Sequence, residues 1–520
     1  MKTLLTSDKR FVLGGGLALV LLVALSFLLM SQLRGTQQPL RTDEFPAQEW
    51  RSSAPEEQGF DSAKLAEGLQ AIRRNGTQIH SLMIVRNGWV IVDAYFYPYD
   101  GSIYHDLASV TKSLMTTLIG IAADQGELDL DQPMLSFFPD RTIANRDERK
   151  ELITIRHLAS MTAGLECDPM DDQTTLSDMR ASADWVQFGL DRKVVREPGT
   201  RFVYCGLQMH LLSAILQEAT GLTALEFARV NLFEPLGIHD VYWPADPQGY
   251  THGWGDVCLR PGDMARLGFL FLNQGQWDGQ QIVSPAWVMG ATERQIGTGT
   301  NRYEDYGSGW WVSRPENEFT FFRADGRGGQ YILVVPSLNL VVVTTGGGFS
   351  MDEIDPYLIA AIGNMEKPLP ANPDAVARLE AVVAELSQSP APEAVSPLPE
   401  MAQAISGQTF VTELNPLQLR SLRLDFDAAI DQAEATFVLD LASEQIPRIV
   451  GVGLDGVYRP SRGGRPVVAR GRWADASTFV VDYNEGPGLA TYMLRMRFDG
   501  DRVHFEVPGL GSFEARVERP

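Results

Sequence analysis

Ser109 and Lys112, in the run His105-Asp106-Leu107-Ala108-Ser109-Val110-Thr111-Lys112, are the residues of this 520-residue chain whose types and spacing could do chemistry together. A mostly apolar run of helical length follows, Asp106 is placed to cap its start and Gly126 to stop it. On a helix, positions i and i+3 share a face, so a serine in the first turn meets the lysine beside it. A serine hydroxyl is a poor nucleophile until a base takes its proton, and a lysine serves as that base only when burial or a nearby cation lowers its pKa. The positive end of the helix dipole favours both the alkoxide and the neutral amine.

The elements that must position this pair can be read on either side of it. Leu65, Leu69 and Ile72 recur at helical spacing between Asp61 and Asn75. Residues 81 to 85 and 89 to 92 are apolar runs joined by Asn87-Gly88, the turn pair of a tight hairpin. Helical periods dominate from about 127 to 275. They include a short helix near residues 153 to 165 ending at a glycine, one from Leu211 to Thr220 before Gly221, and one starting at Pro261. Strands return at residues 309 to 312, 331 to 335 and 340 to 344, and residues 356 to 365 can close the domain as a helix. The pattern is α/β in the α+β sense: an antiparallel sheet built from both ends of the domain, flanked by helices and carrying a helical subdomain.

From Pro368 to Pro399 the chain carries seven prolines around one possible helix, residues 374 to 386, and reads as a linker over residues 367 to 404. Beyond it the period becomes two, as in Tyr492, Leu494, Met496 and Phe498, then Asp499-Gly500, then Val503, Phe505 and Val507. Residues 405 to 520 therefore read as a separate all-β domain. At the other end, residues 11 to 30 carry no charge and are long enough to span a bilayer, with Lys2, Lys9 and Arg10 before them. Residues 1 to 35 read as an uncleaved membrane anchor with the remainder extracytoplasmic, or periplasmic, and residues 36 to 54 as a tether. A cleaved signal peptide is the alternative.

A formal charge of −22 argues against nucleic acid and anionic membrane surfaces as partners. The three cysteines are Cys167, Cys205 and Cys258. Outside the cytoplasm one pair could bridge, and Cys167 with Cys205, which flank the motif blocks, is the expected pair. No Cys or His spacing suggests a metal, and no cofactor is called for. There is no G-x-S-x-G elbow and no phosphate-binding P-loop. His157 lies among apolar neighbours and reads as a packed structural histidine.

Five ordered blocks over residues 55 to 366 resemble the serine β-lactamase and penicillin-binding-protein superfamily, in its class C-like branch with esterases, D-alanyl-D-alanine carboxypeptidases and 6-aminohexanoate-dimer hydrolases. They are Ser109-Val110-Thr111-Lys112; Ile155-Arg156-His157-Leu158 through Leu165; Pro198-Gly199-Thr200-Arg201-Phe202-Val203-Tyr204; Pro261-Gly262-Asp263-Met264-Ala265; and Gly326-Arg327-Gly328-Gly329-Gln330. The resemblance implies a β-lactamase/transpeptidase-like fold. It implies that Ser109 attacks an acyl group, Lys112 assists its deprotonation and Tyr204 relays a proton to the leaving group. It aligns Gly326-Arg327-Gly328 with the family's third motif and makes Gly329, with Ser109, the expected source of the two oxyanion N–H groups. Arg327 and Gly328 complete the expected substrate-binding set. The pattern is also broken: Gly206 replaces the asparagine of Y-x-N, and K-T-G is absent. Those losses disfavour an efficient β-lactamase and leave carboxylic esters and small amides as the expected substrates. A cell-wall D-alanyl peptidase or weak β-lactamase, and a noncatalytic peptidoglycan- or protein-binding module, are the alternatives.

Overall fold

The computed structural model describes residues 49–168, 172–299, 304–317, 319–413, 415–426, 433–441, 447–461, 467–485 and 490–518. The expected anchor, residues 1 to 35, lies outside the described residues. Among those described, no helix is long and apolar enough to cross a membrane.

The chain enters the catalytic domain through α1 (Ser62–Arg74), whose N-cap Asp61 accepts the Lys64 N–H and whose Leu65, Leu69 and Ile72 are buried. β1 (Ile79–Arg86) and β2 (Trp89–Tyr95) follow as a hairpin. Its turn residues Asn87 and Gly88 have φ of 52° and 79°, the left-handed pair that a tight hairpin turn needs. The nucleophile helix α2 (Val110–Asp124) comes next, then a helical region with α3 (Asp172–Ala181), α4 (Gly206–Thr220) and α5 (Pro261–Leu272).

The chain then supplies the rest of the sheet: β3 (Glu304–Tyr306), β4 (Trp311–Ser313), β5 (Phe322–Gly326), β6 (Gln330–Val335) and β7 (Leu340–Gly346). The order is β2-β1-β7-β6-β5-β4-β3, with every pairing antiparallel. First and last strands of the domain thus pair inside the sheet, one place in from its β2 edge, Met83 opposite Val343 and Ile84 opposite Val342. Both faces are covered, so β1 is buried along its whole length. α5 lies flush on one face, where a Cβ on Gly268 would come within 2.6 Å of Val341 and 2.8 Å of Ile332. α1, α6 (Asp355–Ala361) and α7 (Pro373–Ser387) cover the other. α7 falls inside the stretch expected as a linker, yet its Leu379, Val382 and Leu386 are buried in the same core as α1 and the sheet.

The last part of the chain is an antiparallel barrel: β8 (Thr409–Thr412), β9 (Leu419–Asp425), β10 (Glu434–Leu441), β11 (Arg448–Gly453), β12 (Arg459–Pro460), β13 (Val467–Trp473), β14 (Thr478–Glu485), β15 (Ala490–Asp499), β16 (Arg502–Val507) and β17 (Gly511–Val517). Strand order runs β11-β10-β9-β8-β17-β16-β15-β14-β13-β12, each neighbour antiparallel, and a single parallel bridge from Gly453 of β11 to Arg470 of β13 closes it. The period of two is what fills the interior: along β10 every second residue is buried, Ala435, Phe437, Leu439 and Leu441. The expected all-β domain is this barrel.

Candidate active site

The nucleophile turn is built differently from the simple cap that its sequence suggests. Asp106 caps no helix; its Oδ1 accepts the Ala108 N–H at 2.8 Å, inside the turn. Ala108 sits at φ 45°, a left-handed conformation that costs a non-glycine residue free energy and recurs at functional turns. Ser109 is itself the N-cap residue, with helical angles and no capping hydrogen bond from its side chain. Its hydroxyl is therefore not spent on the helix. Lys112 stands one turn on, 2% exposed, with Nζ 2.8 Å from Ser109 Oγ and 2.8 Å from the Trp254 carbonyl oxygen.

Burial pulls the Lys112 amine down to about 8 from its ordinary 10.5. The carboxylates of Asp172 and Asp256 oppose that shift, and the Arg327 guanidinium adds to it. Tyr204 closes the cluster: its ring centroid lies 4.8 Å from Lys112 Nζ, and the Ser109 side chain is near enough to draw its phenol down a little. Burial, reinforced by nearby Tyr306, holds this phenol well above its usual range, so it is protonated at rest. Trp311 stacks on it, with centroids 5.9 Å apart.

β5 approaches the serine from the other side. A Cβ on Gly326 would lie 2.3 Å from the Leu107 carbonyl oxygen, so only glycine lets the strand end this close to the nucleophile turn. The next residue, Arg327, lines the cavity over Ser109. Gly328 and Gly329 turn the chain back at φ 93° and 99°. Gly329 has surroundings unlike those expected of an oxyanion donor: its N–H points to the Gly326 carbonyl at 3.3 Å, and it packs against the Phe349 ring. Among the described residues, the main-chain N–H groups of Ser109 and Arg327 donate no hydrogen bond.

Gly206, where the Y-x-N asparagine would stand, begins α4 with its N–H donated to Asp172 Oδ1 at 2.7 Å. A Cβ there would come within 3.0 Å of Trp254 Cβ and 3.1 Å of Asp172 Oδ2. A carboxylate has thus taken the neighbourhood of the missing amide. Cys205, just before, is disulfide-bonded to Cys167, and Cys258 is a buried thiol outside that disulfide. His157 lies outside the cluster; its Nδ1 accepts the Thr154 N–H at 3.2 Å in a capping box. Trp254, Asp172, Asp256 and His252 border the site without any signal in the sequence. Trp254 acts through a main-chain carbonyl, which residue type cannot reveal, and stacks on His252 at 4.4 Å, itself 2.8 Å from Asp256. Among the described residues no group of His, Cys, Asp and Glu is arranged to hold a metal ion.

A serine held by a buried lysine and a buried phenol, at the start of a helix backed by an antiparallel sheet, defines a serine hydrolase of the S-x-x-K class. The chain belongs to the Beta-lactamase family, whose sequence model matches residues 63–363. Its relatives include the 6-aminohexanoate-dimer hydrolase of Paenarthrobacter ureafaciens, 25% identical over 290 residues that make up 52% of this chain and 73% of that one. Esterase EstB of Burkholderia gladioli is 27% identical over 167 residues, 30% of this chain and 42% of the esterase. Among solved structures, a Bacillus anthracis protein named as a candidate 6-aminohexanoate-dimer hydrolase shares the fold at a TM-score of 0.51 and 19% identity, covering 66% of this chain and 90% of that one.

Proposed function

We propose that this β-lactamase-family hydrolase cleaves a carboxylic ester or small amide through an acyl-enzyme on Ser109. The observation that carries the reading is the 2.8 Å contact between Ser109 Oγ and a Lys112 amine whose burial makes it a base near neutral pH. Neutral Lys112 takes the hydroxyl proton as Oγ attacks the carbonyl carbon. The resulting oxyanion is held by the N–H groups of Ser109 and Arg327, a pair that replaces the expected Ser109 and Gly329. Tyr204, protonated and beside Lys112, passes its proton to the leaving group and is recharged from Lys112. Water then repeats the attack in reverse order, with the same lysine as base.

Esters and small amides fit better than β-lactams because Gly206 offers no side-chain amide and Arg327, the one cation of the third block, is exposed. The Cys167–Cys205 disulfide and the uncharged run at residues 11 to 30 support an extracytoplasmic, anchored placement. Hydrolysis of p-nitrophenyl acetate by the purified full chain, compared with Ser109→Ala, tests the reading: turnover in the first and none in the second supports it. Equal rates in the two would overturn it.

A further inference from the structure

We propose that the C-terminal barrel forms part of the substrate site, its open half receiving a long aliphatic acyl chain while the carbonyl lies at Ser109. The inference rests on Ser109 being the nucleophile and names the substrate class: esters or amides of acids of about eight carbons or more.

The cavity over Ser109, about 950 Å³, does not end at the catalytic domain. Ser109, Lys112 and Trp254 line one end; Leu439, Leu441 and Leu494, from the inside of the barrel, line the other. The barrel is filled unevenly. At the far end of its lumen Phe426, Trp473, Phe479 and Phe498 form an aromatic plug, with ring centroids 5.2 to 6.0 Å apart. At the near end, where β14 and β15 pair Tyr483 with Tyr492 and β9 and β10 pair Leu419 with Leu441, these four residues face the void. The plug keeps the barrel folded, which frees the near half to hold something else.

The walls suit a hydrocarbon. Leu439, Leu441 and Leu494 are at most 8% exposed yet border empty space. The Tyr483 hydroxyl takes a hydrogen bond from Arg448 at 2.6 Å, so its ring is what it offers the cavity. Charged groups, Arg180, Asp256 and Arg327, lie at the serine end, and on the barrel side the charge is that of Arg420, exposed at the rim. A molecule that matches both ends has a polar carbonyl group and an apolar tail. Tyr204, which serves the leaving group, does not line this cavity, so the tail belongs to the acyl side.

The barrel is also fastened in place. Tyr99 and Ile103 of the catalytic domain share a small core with Val468, the Tyr458 N–H donates to Tyr97 Oη at 3.0 Å, and the Glu393 N–H donates to the Asp455 carbonyl at 2.8 Å. These contacts hold the open end over the serine.

The test is kcat/KM of the full chain on p-nitrophenyl acetate, octanoate and laurate. Removal of the added methylenes from water should raise it at least about ten-fold from acetate to laurate. Leu439→Trp, which fills the lumen, and Leu417→Arg, at the half-buried rim, should each cut the laurate-to-acetate ratio at least about ten-fold. The rim variant keeps the test open should the buried one fail to fold. As a second readout, Ser109→Ala should bind a fluorescent sixteen-carbon fatty acid, and adding Leu439→Trp or Leu417→Arg should abolish that binding. Acetate turnover with a flat or falling series, or ratios unmoved by both variants, would overturn the barrel's role. Absence of turnover on every ester, with no fluorophosphonate label on Ser109, would instead overturn the nucleophile assignment beneath it.

Discussion

Lys112 Nζ lies 4.8 Å from the centroid of the Tyr204 ring and 2.8 Å from Ser109 Oγ. An amine over an aromatic face is favoured when charged, whereas burial favours it neutral, and here burial is the larger effect. The lysine is therefore poised close to the pH at which a base is useful, and the phenol beside it remains a proton donor.

The pH profile follows from that balance. Because Lys112 must be neutral to act as base and its pKa is held at about 8, kcat/KM for a small ester should rise with pH and level off above 8. A stopped-flow or plate assay between pH 6 and 9.5 checks it. A profile flat across that range would remove Lys112 from the role of base.

Replacing the lysine should separate function from stability. Lys112→Met should abolish turnover, yet at pH 7 it should stabilise the fold, since a pKa lowered from 10.5 to about 8 corresponds to about 3 kcal/mol spent on keeping a buried charge. The two lost hydrogen bonds, to Ser109 and Trp254, offset about 1–2 kcal/mol of this. The unfolded amine binds its proton up to 10.5 and the folded one only up to about 8. The penalty is thus full below pH 8 and fades between 8 and 10.5. Urea unfolding at pH 7 and pH 10.5 measures it; a variant equally destabilised at both would contradict the account.

Two glycines of one turn should behave differently. Gly326→Ala sets a methyl 2.3 Å from the Leu107 carbonyl and should push β5 off the nucleophile turn, lowering kcat by about 10²-fold. Gly329→Ala meets the Phe349 ring at 2.2 Å instead and should cost about 1–3 kcal/mol of stability. Its kcat/KM, in the folded protein, should stay within about three-fold of the parent. Thermal melts and ester kinetics on both variants check this split, and a kcat loss at Gly329 equal to that at Gly326 would contradict it.

β-Lactams should be poor substrates. The side chain that would hold the lactam amide is missing at Gly206, and a site without such a partner discriminates on the order of 10²-fold or more. Gly206→Asn should not recover the loss, because Trp254 and Asp172 crowd the position at 3.0 and 3.1 Å. Acylation rates with benzylpenicillin and p-nitrophenyl acetate provide the comparison; a penicillin rate matching the ester's would contradict it.

What the sequence discloses here is what residue type and spacing encode. Ser109 and Lys112 at i, i+3, the Asn87-Gly88 hairpin, the helix starts at Asp61 and Pro261 and the alternation in the barrel each follow from one local rule, and the structure carries each of them. Three features are invisible locally. Asp106 turns inward because Ala108 adopts a left-handed backbone, which residue type does not announce. The Trp254 carbonyl anchors Lys112 from 142 positions away. α7 packs on α1 although prolines surround it, since burial of Leu379, Val382 and Leu386 is decided by a tertiary neighbour. Between Arg327 and Gly329 the choice of oxyanion donor is one of register, which a turn of consecutive glycines leaves open.

The central claim is that Ser109 is the nucleophile. The direct measurement is intact mass of the purified full chain after exposure to a fluorophosphonate, with Ser109→Ala alongside. A single adduct is expected, mapping to Ser109 in the parent and disappearing in the variant. An adduct of equal size in both proteins, or none on a folded parent chain, would contradict it.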